Sequence, residues 1–196
     1  MSRDLKIRPA ESADALKLAM LIDIAGEGLP SWMWGQSCAP DQRPLDIGVQ
    51  RACRETGGFS YRNASVAELD GAVVGMLLGY PITEMPEDSP EDVPAAFAPF
   101  IELEGKSVGT WYVNALALLP GHRGQGVGRR LMADAEQRAK AAGVDRMSIQ
   151  VFGQNTGAHA LYTRLGYVET ARSPVRAFPC QPYYTGDVVL LEKPLA

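Results

Sequence analysis

The stretch that decides the reading is Leu116-Ala117-Leu118-Leu119-Pro120-Gly121-His122-Arg123-Gly124-Gln125-Gly126-Val127-Gly128-Arg129-Arg130-Leu131, where an apolar run meets a glycine-rich turn. Val127, Leu131, Ala135, Ala139 and Ala142 then recur at helical spacing, so a helix is expected over 127–142, closed by Gly143. The first amides of a helix have no internal acceptor and carry partial positive charge, and glycines let the main chain approach an anion without a Cβ in the way. Between 123 and 146 six basic residues (Arg123, Arg129, Arg130, Arg138, Lys140, Arg146) outnumber three acids, Asp134, Glu136 and Asp145. The turn is therefore expected to hold a phosphate or pyrophosphate. A dinucleotide fingerprint starting at Gly124 would need glycine at Arg129, and a P-loop would need Gly-Lys-Ser/Thr where Gly128-Arg129-Arg130 stands. Three glycines alone would also fit a tight turn with no ligand.

Outward from this stretch, strand and helix patterns alternate. Residues 5–8 read as a short strand, 11–27 as a helix, 31–43 as a loop carrying Trp32, Met33 and Trp34, and 44–55 as a weaker helix. Asp70-Gly71 between 64–69 and 72–80 has the chemistry of a two-residue hairpin turn. Residues 110–119 and 147–152 read as strands, 156–165 as a helix closed by Gly166, and 167–171 and 188–192 as the last strands. The segment 81–104 differs: it holds five of the fourteen prolines and seven acids (Glu84, Glu87, Asp88, Glu91, Asp92, Glu102, Glu104) with no Lys or Arg. It reads as an acidic, Pro-rich insertion whose apolar end, 95–103, forms a short helix packed on the domain.

The whole composition bounds the function. With 196 residues, 46% hydrophobic and 21% charged, the chain is one globular domain, long enough to hold a core without disulfides or metal. A net charge of −4 argues against broad nucleic-acid binding. No apolar run is long enough for a membrane span. Cys38, Cys53 and Cys180 are widely spaced, which suits a reducing cytoplasm, and His122 and His159 lack metal-ligand spacing, so no metal site is expected.

The segment Arg123-x-x-Gly126-x-Gly128 resembles the cofactor motif of the GNAT superfamily of N-acetyltransferases, in which an R/Q-x-x-G-x-G/A turn binds the pyrophosphate of acetyl-CoA. Downstream, Asn155-x-x-Ala158-x-x-Leu161-Tyr162-x-x-x-Gly166-Tyr167 is similar to a second family segment, and the spacing between the two agrees. The likeness is specific over 110–167 and weak in the first eighty residues. It implies a single N-acetyltransferase domain over 1–196, of α/β (α+β) class, with a mixed, mostly antiparallel sheet of about six or seven strands and roughly four helices.

The resemblance also implies roles. The backbone of Leu116, Ala117 and Leu118 would pair with the pantetheine arm where the strand splays from its neighbour, and the Leu118 amide would stabilise the oxyanion. Arg123, Gly124, Gln125, Gly126, Val127, Gly128 and Arg129 would hold the pyrophosphate, Val127 with its side chain in the core. Asn155 and Ala158 would line the cofactor, Asn155 being an obvious helix cap as well. Tyr162 would bind cofactor and return a proton to the thiolate of CoA; without catalysis it reads as a packed aromatic. The strand 110–119 contains no Asp, Glu or His, so Glu27, Glu102, Glu104 or a water chain is left as general base. Trp32, Trp34, Tyr183 and Tyr184 are candidate acceptor-pocket residues, or else packing. The implied reaction is direct attack of a primary amine, on a small molecule or a protein, in a ternary complex with acetyl-CoA. The alternative is a non-catalytic acyl-CoA-binding sensor or assembly module, and a nucleoside-phosphate enzyme using the turn for another anion is a further rival. Homodimerisation is a family habit.

Overall fold

Asp70 and Gly71 adopt φ of 50° and 82°, the left-handed pair a two-residue hairpin turn demands. The ladder they join, β2 (Ala64–Leu69) against β3 (Ala72–Pro81), accordingly closes on Leu69↔Ala72. This is seen in a computed structural model that describes residues 4–85, 90–91, 93–177, 179 and 185–195. Tyr183, Tyr184 and Cys180 lie outside the described residues, as do Glu87, Asp88 and Asp92 of the acidic segment.

The remaining strands are β1 (Leu5–Pro9), β4 (Trp111–Leu118), β5 (Arg146–Phe152), β6 (Val168–Pro174) and β7 (Asp187–Pro194). They form a mixed sheet of seven strands in the order β1-β2-β3-β4-β5-β7-β6. The β4 and β5 strands are parallel, while β1–β2, β2–β3, β5–β7 and β6–β7 are antiparallel. The β4–β5 ladder runs only from Trp111↔Met147 to Val113↔Ile149, although β4 continues to Leu118 and β5 to Phe152.

Among the described residues six α-helices stand where roughly four were expected: α1 (Ala15–Ala25), α2 (Leu29–Gln36), α3 (Pro44–Ala52), α4 (Ala98–Gly105), α5 (Val127–Ala141) and α6 (Thr156–Arg164). The additional element that corrects the sequence reading is α2, which occupies much of the stretch expected as a loop. Glu27 and Gly28, with φ of 54° and 87°, reverse the chain after α1, and Pro30 sits in the first turn of α2, where its missing N–H costs nothing. The Gly-Leu-Pro run thus starts a helix instead of only ending one. In 81–104 the apolar end does form a helix, α4, slightly later than 95–103.

By internal contacts the chain groups into two compact units, Met1–Gly79 with Ala115–Ala135, and Tyr80–Asn114 with Glu136–Ala196. In the first, Leu18, Leu21, Trp34, Val66, Met76 and Leu78 form a core with Ala115 and Ala117. The Trp34 indole is 3% exposed, stacks on Phe59 with ring centroids 6.2 Å apart, and lies against Gly48. It is a core residue, not a pocket wall; Trp32 stays half-buried. In the second unit Leu103 of α4 is fully buried with Phe152, Val188 and Leu190, and Phe100 meets Phe152 edge-on at 5.5 Å. Among the described residues no helix is long and apolar enough to cross a membrane.

Candidate functional site

The glycine-rich turn belongs to the first unit. After β4, Pro120 to His122 make one 3-10 turn, and Gly124 and Gly126 then take φ of 73° and 80° before α5 begins at Val127. Two left-handed residues so close together curl the main chain so that successive amides face one side. Among the described residues, the amides of Gly124 through Arg129 donate to no loop or helix oxygen, whereas those of His122, Arg123 and Arg130 do. A Cβ built on Gly124 or Gly126 would meet no protein atom within 4 Å. Glycine is thus required here by backbone conformation, and the space in front of the amides is open. Val127 and Gly128 are buried, Val127 at 3% exposure, which anchors the turn while Arg123, Gly124, Gln125, Gly126 and Arg129 stay at the surface. The Gln125 side chain donates to the Gly121 carbonyl at 3.0 Å, bracing the loop from within. Unpaired amides, positive-φ glycines and surface arginines fit a diphosphate.

Arg123 is brought to the end of β4, its Nε donating to the Leu118 carbonyl at 3.3 Å. The Leu119 amide donates to Val74 of β3 at 2.9 Å. Main-chain direction alternates along a strand, so the Leu118 amide points away from β3. Ala117 is buried, and Leu116 and Leu118 are half-buried.

One contributor was not singled out from the sequence. A Cβ at Gly75 of β3 would lie 2.2 Å from Leu118 Cδ2 and 3.0 Å from the Ala117 carbonyl oxygen. Gly75 therefore sets how closely β3 can approach this part of β4; a glycine inside a strand pattern is the signal that could have found it. Glu27, half-buried in its left-handed turn, has its carboxyl pushed up by burial, opposed by the charge of Arg123.

The second unit holds the other motif. The Asn155 side chain accepts from the Ala158 amide at 3.2 Å, so it does cap α6. Tyr162 is 5% exposed, with its ring 6.0 Å from that of Tyr167 and its backbone carbonyl accepting from the Leu165 and Tyr167 amides. Burial pushes its phenol well above the ordinary range, so it stays protonated at neutral pH. Its hydroxyl makes no hydrogen bond among the described residues, and it is not one of the sealed polar atoms. Glu102 is exposed and accepts from Ser173 Oγ at 2.7 Å and Lys106 Nζ at 2.9 Å; these bonds hold its carboxyl below the usual range, which makes it a poor base. Glu104 is half-buried, and its charge acts on Tyr80 and Tyr112.

A sequence model described as the acetyltransferase (GNAT) family matches residues 27–167, more than half of the chain. A mycothiol acetyltransferase of Beutenbergia cavernae is 36% identical over 72 residues, 37% of this chain but only 24% of that protein, so the chain spans about a quarter of that relative's length. Among solved structures, the ribosomal-protein-alanine N-acetyltransferase of Brucella melitensis superposes with a TM-score of 0.64 at 20% identity, covering 97% of this chain and 99% of the other. YncA, a putative acetyltransferase of Salmonella typhimurium solved with its cofactor acetyl-CoA, gives 0.60 at 17% identity over 98% and 95%. At these identities the structural likenesses speak for the fold, and the family match speaks for the chemistry. The chain has the GNAT fold and belongs to the GNAT family of acetyltransferases.

Proposed function

We propose that the whole chain works as one N-acetyltransferase domain, in the cytoplasm, that moves the acetyl group of acetyl-CoA to a primary amine by direct attack in a ternary complex, the amine attacking in its neutral form after giving its proton to a carboxylate base or a water chain. The observation that carries this reading is the row of amides from Gly124 to Arg129 without protein acceptors, presented by two positive-φ glycines. Those amides, with the surface guanidiniums of Arg123 and Arg129, would hold the pyrophosphate of the coenzyme. Bound there, acetyl-CoA supplies an activated thioester. The short β4–β5 ladder supports pairing of the Leu116 and Leu118 backbone with the pantetheine arm, because main-chain groups past Val113 need partners other than β5. Asn155 and Ala158 at the head of α6 are assigned to the same coenzyme.

The Leu118 amide, turned away from β3, donates to the acetyl carbonyl oxygen as negative charge gathers there. Loss of one such donor in other acyl-transfer sites costs on the order of 3 kcal/mol. Tyr162, kept protonated by burial, delivers its proton to the departing sulfur. The free thiols Cys38 and Cys53 lie outside both motifs, and the route uses no acyl-enzyme. The test is calorimetry with coenzyme A followed by a mass-spectrometric screen of amines and peptides for a gain of one acetyl group. Coenzyme A binding with acetylation of at least one primary amine is expected. Failure to bind coenzyme A, or binding of ATP or NAD in its place, would remove the reading.

A further inference from the structure

The peptide that joins Leu118 to Leu119 at the end of β4 is gripped at both poles. Its N–H, on Leu119, donates to the Val74 carbonyl of β3 at 2.9 Å, and its C=O, on Leu118, accepts from Arg123 Nε at 3.3 Å. The first bond ties the strand end to β3, whereas the second comes from the glycine-rich turn. Residues Pro120–His122 fold the chain back in one 3-10 turn, the His122 amide donating to the Leu119 carbonyl at 2.9 Å and the Arg123 amide to the Pro120 carbonyl at 3.3 Å. All of these residues, and the amides from Gly124 to Arg129, belong to the first unit.

In a strand the N–H and C=O of one residue leave on the same side, so the Leu118 carbonyl, like its amide, faces away from β3. The ladder to β5 has already ended at Val113, and Arg123 supplies the partner that a neighbouring strand would otherwise give. A guanidinium is planar and carries five N–H donors in a rigid fork. Here Nε is spent on Leu118, and among the described residues Nη1 and Nη2 donate to nothing. The edge left over is the two-nitrogen edge that grips a pair of phosphate oxygens. The loop is braced separately by Gln125 on the Gly121 carbonyl, and among the described residues no other side chain of the turn bonds to β4. One rigid group thus reaches both the anion-binding turn and the strand end.

We propose that Arg123 is a positioning residue that couples the two: its Nη edge takes phosphate oxygens while Nε keeps the Leu118 carbonyl, so that filling the turn fixes the conformation of Leu118. The assignment rests on the acetyl-transfer reading and deepens it, because Leu118 carries the amide given to the acetyl oxygen. Arg123 binds and orients; it takes no part in proton transfer.

The test is an NMR titration of the 13C,15N-labelled protein with sodium pyrophosphate at matched ionic strength. Pyrophosphate has no pantetheine arm, so a response at Leu118 has to travel through the protein. The Gly124 and Gly126 amides report occupancy of the turn, and the Arg123 Nε–H and the Leu118 carbonyl carbon report the clasp. In wild type all are expected to shift with one midpoint. In Arg123→Lys, which keeps the charge and loses the fork, the turn amides are expected to titrate about tenfold more weakly and the Leu118 carbon to stay in place. An equal Leu118 shift in both proteins at saturation, or a wild-type response confined to the turn, would overturn the proposal. A second measurement needs no variant: the scalar coupling across the hydrogen bond from Arg123 Nε to the Leu118 carbonyl carbon, taken with pyrophosphate and with coenzyme A. It is expected to persist at saturation with either ligand, and its loss would refute the clasp. A turn that responds while Leu118 stays silent sinks this inference alone, whereas turn amides that answer neither ligand remove the acetyl-transfer reading and the coupling with it.

Discussion

Replacing Gly126 by alanine separates a ligand-binding loop from a loop that is merely tight. At φ of 80° the added Cβ meets no protein atom within 4 Å, so the cost to the free protein is conformational only, about 1–2 kcal/mol for an L-residue held in the left-handed region. For a chain of this size that lowers Tm by roughly 2–8 °C. The methyl group, however, projects into the open space beside the unpaired amides. If a diphosphate sits there, at least one charge-assisted hydrogen bond is lost, about 1.5–3 kcal/mol, or roughly 10- to 150-fold in Kd. Gly143, after α5, provides the control: its φ is 73° and its Cβ would also meet nothing, so Gly143→Ala should cost similar stability and leave coenzyme affinity unchanged. Both variants would be titrated calorimetrically with coenzyme A well below their melting temperatures. Coenzyme affinity within threefold of wild type in Gly126→Ala, or an equal loss in Gly143→Ala, would refute the argument.

Tyr162→Phe is expected to lower kcat about 10²-fold, the low end for a positioned acid, because a phenol with a raised pKa is a weaker donor than a thiol near 8.5. KM for acetyl-CoA and Tm should hold, since the hydroxyl has no protein partner to lose; an unchanged rate of thiol release with the screened amine would exclude the role. Gly75→Ala must displace Leu118 and press on the Ala117 carbonyl, so urea denaturation should show a loss of about 1–3 kcal/mol and calorimetry a weaker coenzyme complex. Unchanged values in both would mean that β4 is not held by this contact. At Asp14, burial pushes the carboxyl up, but bonds from Arg8 at 2.7 and 3.0 Å and from the Glu11 amide at 2.8 Å outweigh it, and the net shift is downward. A depressed carboxyl stabilises the fold above its ordinary value near 3.9 and stops doing so as pH falls through the folded value. Urea midpoints should therefore drop more steeply from pH 6 toward pH 3 in wild type than in Asp14→Asn; parallel curves would count against the Arg8 pair as the source.

What could be read from the sequence was mostly backbone chemistry between near neighbours. The Asp70-Gly71 hairpin, the turn at Gly124 and Gly126, the stop at Gly143 and the Asn155 cap each depend on a few consecutive residues, and each appears at its expected place. The individual strands and the short helix in the acidic segment follow from periodicity of similar range, while the mixed sheet they form was what the family resemblance implied. The α2 helix was missed because Gly28 and Pro30 carry the same local signal whether they end one helix or start the next. Its place is settled by the burial of Trp34 in a core built from distant strands.

The same division runs through the candidate site. The turn of unpaired amides was legible, because amides that cannot find internal acceptors are a property of any helix start. Which carboxylate stands where was not: Glu102 and Glu104 are two residues apart, yet one is exposed and bonded to Lys106 and Ser173, while the other is half-buried and its charge pushes the phenols of Tyr80 and Tyr112 up. Nor could the pattern of residues tell that Trp34 packs inside, or that Gly75 lies under Leu118. Conformation and capping are local quantities that a chain carries in its own order. Burial, pairing and proton affinity depend on what the fold brings from far along the chain, and only the tertiary structure supplies those neighbours.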